Sequence, residues 1–228
     1  MDRKYLKALL LVVVTGCTAG YQASSAAESN ELKVVTVDKK LDSPSSPVGY
    51  WEVSLTYPQF KQTENKTLDS VNKQITALVD KYSCHGAGDQ TFTADSIYSN
   101  GHVLSFYYEA MWMCESMPSP DSTSGMVNYN LETGTLLSVN QDFIDPSSQK
   151  RFIDFANQLL KKKLKELPKD EVSGCPPFEN AGNALITAQG IEMRGLTSAH
   201  GEADCPVSVL IPKTELGSFF KFNSVILK

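Results

Sequence analysis

The chain lacks most of what would mark an enzyme. Histidine occurs only at 85, 102 and 200 among 228 residues. No Gly-x-Ser-x-Gly, His-Glu-x-x-His or Gly-rich phosphate loop is present, which removes the commonest hydrolase, zinc-protease and nucleotide-binding signatures. No Cys-x-x-Cys spacing occurs either. No apolar run reaches the ~18 residues that a membrane-spanning helix needs. The 21 basic residues are outnumbered by 26 acidic ones, which excludes a nucleic-acid binder with a dominant basic patch. What remains, 41% apolar, 21% charged and 9% aromatic residues, is the composition of an ordinary globular protein. It excludes a disordered acidic tail and a collagen-like repeat. The length allows one domain or two small ones with a real core.

The first residues read as an address. Arg3, Lys4 and Lys7 form a positive head, Ala8 to Val14 is a short apolar run, and Val14-Thr15-Gly16-Cys17 closes it. That order is a secretory signal, too short to span a bilayer. The last four residues match the bacterial lipobox, in which the Cys17 thiol takes a diacylglycerol before cleavage. A plain signal peptide containing a cysteine is the alternative. Removing residues 1–16 removes Asp2, Arg3, Lys4 and Lys7, a net +2, so the formal −5 of the whole chain becomes −7 for residues 17–228. Thr18, not Asp, follows Cys17, so an inner-membrane retention signal is absent. The expected location is the cell envelope, anchored by lipid at the periplasmic face of an outer membrane.

Cys84, Cys114, Cys175 and Cys205 remain. An even count in an exported chain argues for two disulfides. Four cysteines allow three pairings. Each half holds one pair separated by 30 positions, which favours Cys84–Cys114 and Cys175–Cys205. Zinc held by Cys84, His85 and His200 is the competing arrangement, and the missing Cys-x-x-Cys speaks against it.

Residues 17–47 read as lipidated Cys17, a flexible Ala/Ser-rich tether and a first strand at Leu32–Val37. Trp51, Val53, Leu55 and Tyr57 alternate with polar residues, the period of a half-buried strand. Leu68, Val71, Ile75, Leu78, Val79 and Tyr82 then fall on one helical face, with Thr67 as the expected cap. Strands follow at Phe92–Tyr98 and His102–Met113, joined by Asn100-Gly101, a strong hairpin signal. Met117–Gly125 reads as a loop, and Met126–Leu131 with Thr135–Val139 as another hairpin. Asp145-Pro146 opens a second helix with Phe152, Phe155, Ala156, Leu159, Leu160, Leu164 and Leu167 on its apolar face. Its four lysines, Lys161, Lys162, Lys163 and Lys165, suit a solvated C-terminal end. Short strands are expected at 185–187, 191–193 and 207–211. The fold class is therefore α+β: two consecutive strand–helix–strand blocks, with antiparallel sheets each packed by a helix. The blocks divide as an N-terminal half, 48–145, and a C-terminal half, 146–228.

This order resembles the extracytoplasmic module of RsiV-type lysozyme-sensing anti-sigma factors, which also accompanies the catalytic domain of PdaC-type peptidoglycan deacetylases. The resemblance is carried by Val53–Pro58, the Leu68–Val79 helix, Gly101–Tyr107 and Asn128–Leu137 in the first half. In the second it is carried by Asp142–Ile144, the Phe152–Leu164 helix, Thr187–Ile191, Val207–Pro212 and Glu215-Leu216. The sigma-binding segment and spanning helix of the first family, and the deacetylase domain of the second, have no counterpart here. What the resemblance implies is a stand-alone recognition module for lysozyme or for cell-wall glycan, without catalysis.

Residue chemistry is consistent with that reading. Ser198-Ala-His-Gly-Glu-Ala-Asp204 is the most site-like loop, and Ser198, His200, Glu202 and Asp204 are the expected contact residues. Glu202 and Asp204 as paired acids on a sugar would be the enzymatic alternative. Trp51, Tyr107, Tyr108 and Trp112 would stack on sugar rings if exposed, and pack the core otherwise. No cofactor, metal or nucleic acid is implied. Common lysozymes are strongly basic, and an acidic partner speeds encounter. The expected function is a non-catalytic envelope lipoprotein that binds a lysozyme-type muramidase. Direct peptidoglycan binding, or an accessory role in cell-wall modification, is the alternative.

Overall fold

The computed structural model describes residues 31–43, 46–61, 64–84, 87–115, 117–168, 175–195, 205 and 207–228. Cys17, His85, Ser198, His200, Glu202 and Asp204 lie outside the described residues. Within them the fold is α+β, with strands in two sheets.

The first sheet begins with the hairpin β1 (Leu32–Asp42) and β2 (Tyr50–Phe60), paired from Leu32↔Phe60 to Asp42↔Tyr50. Alternation in β2 sends Leu55 and Tyr57 toward the core and leaves Glu52 and Ser54 exposed. Helix α1 (Lys66–Lys81) follows and buries Leu68, Val71, Ile75 and Val79. Its cap is Asn65, not the expected Thr67. Asn65 is extended, and its side chain accepts from Thr67 N at 3.0 Å and Leu68 N at 3.4 Å, whereas Thr67 is already inside the first turn.

Helix α1 carries the chain across the sheet, so β3 (Gly88–Ser99) runs parallel to β2, with Val53↔Gln90 through Thr56↔Thr93. All other pairs in both sheets are antiparallel. A hairpin cannot join parallel strands, and the 16-residue helix supplies the crossover. β3 turns into β4 (Val103–Cys114) at Asn100-Gly101. Gly101 adopts φ +85°, and the Asn100 side chain accepts from the backbone N–H of His102 and Val103. β5 (Asp121–Asn130) and the short β6 (Thr135–Leu136) complete the sheet.

The expected loop at 117–125 is strand from Asp121 onward, paired from Asp121↔Trp112 to Gly125↔Tyr108. Its Ser, Thr and Gly content resembles a loop, but the small residues are needed. A Cβ at Gly125 would lie 2.7 Å from the Tyr108 hydroxyl.

The second half opens with α2 (Pro146–Glu166), capped by the Asp145 carboxylate accepting from Ser148 N at 2.7 Å. It buries Phe152, Ile153, Ala156 and Leu160 against β7 (Ala184–Thr187), β8 (Gly190–Arg194) and β9 (Ser208–Pro212). A short helix, α3 (Lys213–Leu216), follows. Phe143, Phe152, Phe219 and Phe220 stack within this second core. The disulfides pair Cys84 with Cys114 and Cys175 with Cys205, at Cα separations of 5.1 and 4.7 Å. The sulfur of Cys84 is thus committed, and the zinc arrangement is overturned.

Two buried polar side chains bridge the sheets. Leu104, Phe106 and Tyr108 of β4 face α1, so Val103, Ser105 and Tyr107 face the other way. There the free edge of β7 arrives. Ile186 N donates to Ser105 Oγ at 3.0 Å and to Asn128 Oδ1 at 3.1 Å, and Asn128 Nδ2 donates to Ala184 O at 2.8 Å. Ser105 also donates to Asn128 Oδ1 at 2.6 Å. An edge strand whose amides would otherwise be orphaned is satisfied by the face of the neighbouring sheet.

Candidate recognition surface

Beyond the point where β7 lands, no element among the described residues covers the face of the first sheet opposite α1. Register and alternation place its residues. Asp38 and Lys40 of β1 oppose Ser54 and Glu52 of β2. Thr91 and Thr93 of β3 oppose Met111 and Glu109 of β4, and Asp95 opposes Tyr107. Asp38, Glu52, Ser54, Thr93, Asp95 and Glu109 are exposed, as is Met111 at 48%. Asp89, half-buried, accepts from Glu52 N at 2.8 Å. Ser54 Oγ donates to Asp38 Oδ1 at 2.7 Å.

Five carboxylates therefore share one face, with Lys40 as their cation; it lies 3.2 Å from Glu52, with both side chains more than 60% exposed. One ammonium against five carboxylates leaves the face at a formal net of −4. The surface has a local origin in composition. Residues 48–145 hold twelve carboxylates and four lysines, a net −8, while residues 146–228 hold nine acids and eleven bases, a net +2.

The border with the second half is a polar seam. Tyr107 O–H donates to Glu109 Oε1 at 2.9 Å. Burial of the ring, with the nearby carboxylates of Glu109 and Asp95, holds the Tyr107 phenol above its ordinary pKa and therefore protonated. The Arg194 guanidinium lies 4.9 Å from the Tyr107 ring centroid. It donates to Glu192 Oε1 at 2.9 Å and to Ser96 Oγ at 3.0 Å. Burial pushes the Glu192 carboxyl up, but bonds from Arg194 and Ser208 outweigh it and leave the pKa lowered. Ser96 sits in the bulge between Asp95 and Tyr98 at φ +50°. That bulge turns Tyr98 toward the second core while Phe92 and Ala94 still face α1.

Most of the aromatics considered for sugar stacking pack the core instead. Trp51, Tyr107 and Tyr108 are 7%, 8% and 8% exposed. Tyr108 stacks on Phe92 at 5.2 Å, and the half-buried Trp112 packs on Tyr82 at 5.1 Å. His102 is a surface clasp. Its Nδ1 lies 2.8 Å from Glu132 Oε1, which also accepts from Lys228 Nζ at 2.5 Å. Lys228, then His102, hold the Glu132 pKa down. Among the described residues no group of three or more His, Cys, Asp or Glu is placed to hold a metal ion. Nor is any helix long and apolar enough to cross a membrane.

The acidic face was not among the expected contacts. Its signal was present as acids in the polar phase of successive strands, at Glu52, Asp89, Asp95 and Glu109. Only the strand order brings them together.

No family model and no curated protein matches the sequence. Solved structures do match the fold. A DUF3298 family protein from Pseudomonas aeruginosa PAO1 superposes with a TM-score of 0.61 at 12% identity, covering 85% of this chain and 95% of that one. A member of the same family from Bacteroides fragilis NCTC 9343 gives a TM-score of 0.59 at 14% identity, covering 86% and 95%. At such identities the shared property is the fold: this chain has the architecture of DUF3298 family proteins over most of its length.

Proposed function

We propose that this chain is an envelope lipoprotein that binds a lysozyme-type muramidase without catalysing a reaction. Its anchor is a lipid on Cys17, at the periplasmic face of the outer membrane where the cell has one. The observation that carries the reading is the open, acidic face of the first sheet. A strongly basic protein is its electrostatic complement, and such complementarity raises association rate and selects against acidic partners. Met111, exposed amid this polar surround, gives the face an apolar centre of the kind interfaces use. The sequence resemblance to RsiV-type lysozyme-sensing modules points to the same partner. Direct glycan binding draws less support, because three of the four aromatic candidates are buried.

The test is binding of the mature chain, carrying Cys17→Ser, to immobilised basic lysozyme and to purified sacculi in parallel. Retention on lysozyme, weakened by salt, supports the proposal. Retention on sacculi alone would transfer the function to glycan recognition. Turnover of peptidoglycan by the pure chain would overturn the non-catalytic reading.

A further inference from the structure

Strand β1 is an edge of the first sheet. It pairs with β2 on one side, and no element among the described residues pairs with the other. The phase of its hydrogen bonds is fixed at both ends. Lys61 N donates to Glu31 O at 2.9 Å, and Ser43 N donates to Gly49 O at 3.0 Å. Glu31 and Ser43 therefore turn their backbone polar groups toward β2, and so does every odd-numbered residue between them. Leu32, Val34, Thr36, Asp38, Lys40 and Asp42 turn theirs outward, a row of N–H and C=O groups along one edge.

Proteins blunt such an edge with a proline, a bulge, a short strand or charge. β1 has eleven residues, no proline and an unbroken register with β2. Val34 and Leu41 are exposed on it, at 55% and 36%. Charge is the remaining guard, carried by Lys33, Asp38, Lys39, Lys40 and Asp42, and its pattern is self-complementary. The midpoint of the strand is Val37. An antiparallel copy centred there sets Leu32 against Asp42, Lys33 against Leu41, Val34 against Lys40, Val35 against Lys39 and Thr36 against Asp38. The outward-turned residues meet one another, so each N–H finds a C=O. No charge directly opposes its like, and Asp38 meets its copy only on the diagonal. Lysine stems cover Val34, Val35 and Leu41. Moving the axis to Thr36 would set Lys33 against Lys39, and moving it to Asp38 would set that carboxylate against itself. Both are unfavourable, and both leave strand ends unpaired.

We infer that two copies of this chain pair through β1, antiparallel about a two-fold axis at Val37, and join their six-stranded sheets into one continuous sheet. The axis is perpendicular to the sheet, so the acidic faces of both copies lie on the same side. The dimer presents two acidic surfaces side by side. The pairing itself does not depend on the muramidase proposal.

The full chain carrying Cys17→Ser is followed by sedimentation equilibrium from about 5 to 500 μM, where a monomer–dimer equilibrium is expected. Val34→Lys, at an exposed position, sets lysine against Lys40 twice per dimer and should weaken dimerisation more than about threefold, whereas Val34→Glu should not weaken it. Thr36→Pro removes an N–H that points away from β2, so the β1–β2 ladder is kept, and dimerisation should weaken more than about tenfold. Thermal melts confirm that each variant is folded. Register is read by oxidation. On the axis, Val37 and its copy form a non-hydrogen-bonded pair with Cα atoms about 4.5 Å apart, within the span of a disulfide. Val37→Cys should therefore cross-link two chains, and Val34→Cys, about 20 Å from its copy along the strands, should not. A parent that stays monomeric throughout, equal dimerisation of Val34→Lys and Val34→Glu, or cross-linking of Val34→Cys as fast as Val37→Cys would each overturn the inference.

Discussion

Asn128 bridges the two sheets, and the cost of removing its side chain follows from the groups left unpaired. Asn128 is 7% exposed and makes three hydrogen bonds there: to Ala184 O, from Ile186 N and from Ser105 Oγ. In Asn128→Ala, Ile186 N keeps Ser105 Oγ at 3.0 Å, so it is not orphaned. Ala184 O loses its side-chain donor, and the Ser105 hydroxyl loses its acceptor. A buried polar group left unsatisfied costs about 1–3 kcal/mol, and the small cavity adds to it. The sum is about 2–4 kcal/mol. For a domain of this size each kcal/mol lowers the melting temperature by about 2–4 °C, so a fall of roughly 5–15 °C is expected.

Circular dichroism melts and urea midpoints measure it, with Ser122→Ala on the same face as a control expected within about 0.5 kcal/mol. Ser105→Ala and Asn128→Ala should be non-additive, because they share Ile186 N–H and one another. An Asn128→Ala loss below about 0.5 kcal/mol, or strict additivity with Ser105→Ala, would refute the argument that these groups hold the halves together.

Other outcomes follow from the same structure. Cys84→Ser with Cys114→Ser opens a link of 30 positions and should cost about 3–4 kcal/mol by the chain-entropy estimate, read as a shift in urea midpoint. Glu132, through Lys228 and His102, and Asp145, through Ser147 and Ser148, have folded pKa values below their ordinary ones. Their stabilisation is present above the unfolded carboxylate range and is lost as pH falls through the lowered values. Melting temperature should therefore decline below about pH 4.5, and Lys228→Ala should shrink that decline; a flat profile to about pH 3 would contradict it. Asp95→Lys with Glu109→Lys should slow association with basic lysozyme more than about tenfold, and salt should slow the parent in the same sense. Surface plasmon resonance separates this rate effect from dissociation. Cys17→Ser should leave an unprocessed precursor without acyl label, and persistent labelling with a palmitate analogue would refute lipidation at that residue.

Where the sequence was legible, one residue type at one spacing had a single structural meaning. Leu68, Val71, Ile75 and Val79 can share a face only on a helix, and they are the buried residues of α1. Asn100-Gly101 specified a tight turn because Gly101 accepts positive φ without strain. The two cysteine pairs were legible for a different reason, since each half carried its own. The parallel pairing of β2 with β3 was not legible. Period-two alternation fixes which residues share a face of one strand, but it does not give the direction of the neighbouring strand. That direction depends on whether α1 crosses the sheet, which is a property of the assembled core.

Composition misled where packing reversed its ordinary meaning. Gly125 and its Ser and Thr neighbours resembled a loop, yet the Tyr108 ring leaves no room for a side chain there. Ser105 occupies the polar phase of β4, the phase that faces solvent in a sheet covered on one side only. Here both faces of β4 are covered at that level: Leu104 packs under α1, and Ser105 lies beneath β7 with 0% exposure. Farther along the same strand the phase recovers its usual meaning, and Glu109 and Met111 face outward. One periodic pattern therefore encodes a buried junction at one end of β4 and an open acidic surface at the other. What divides them is where the edge of β7 lands, a long-range contact made by residues some eighty positions away in the chain.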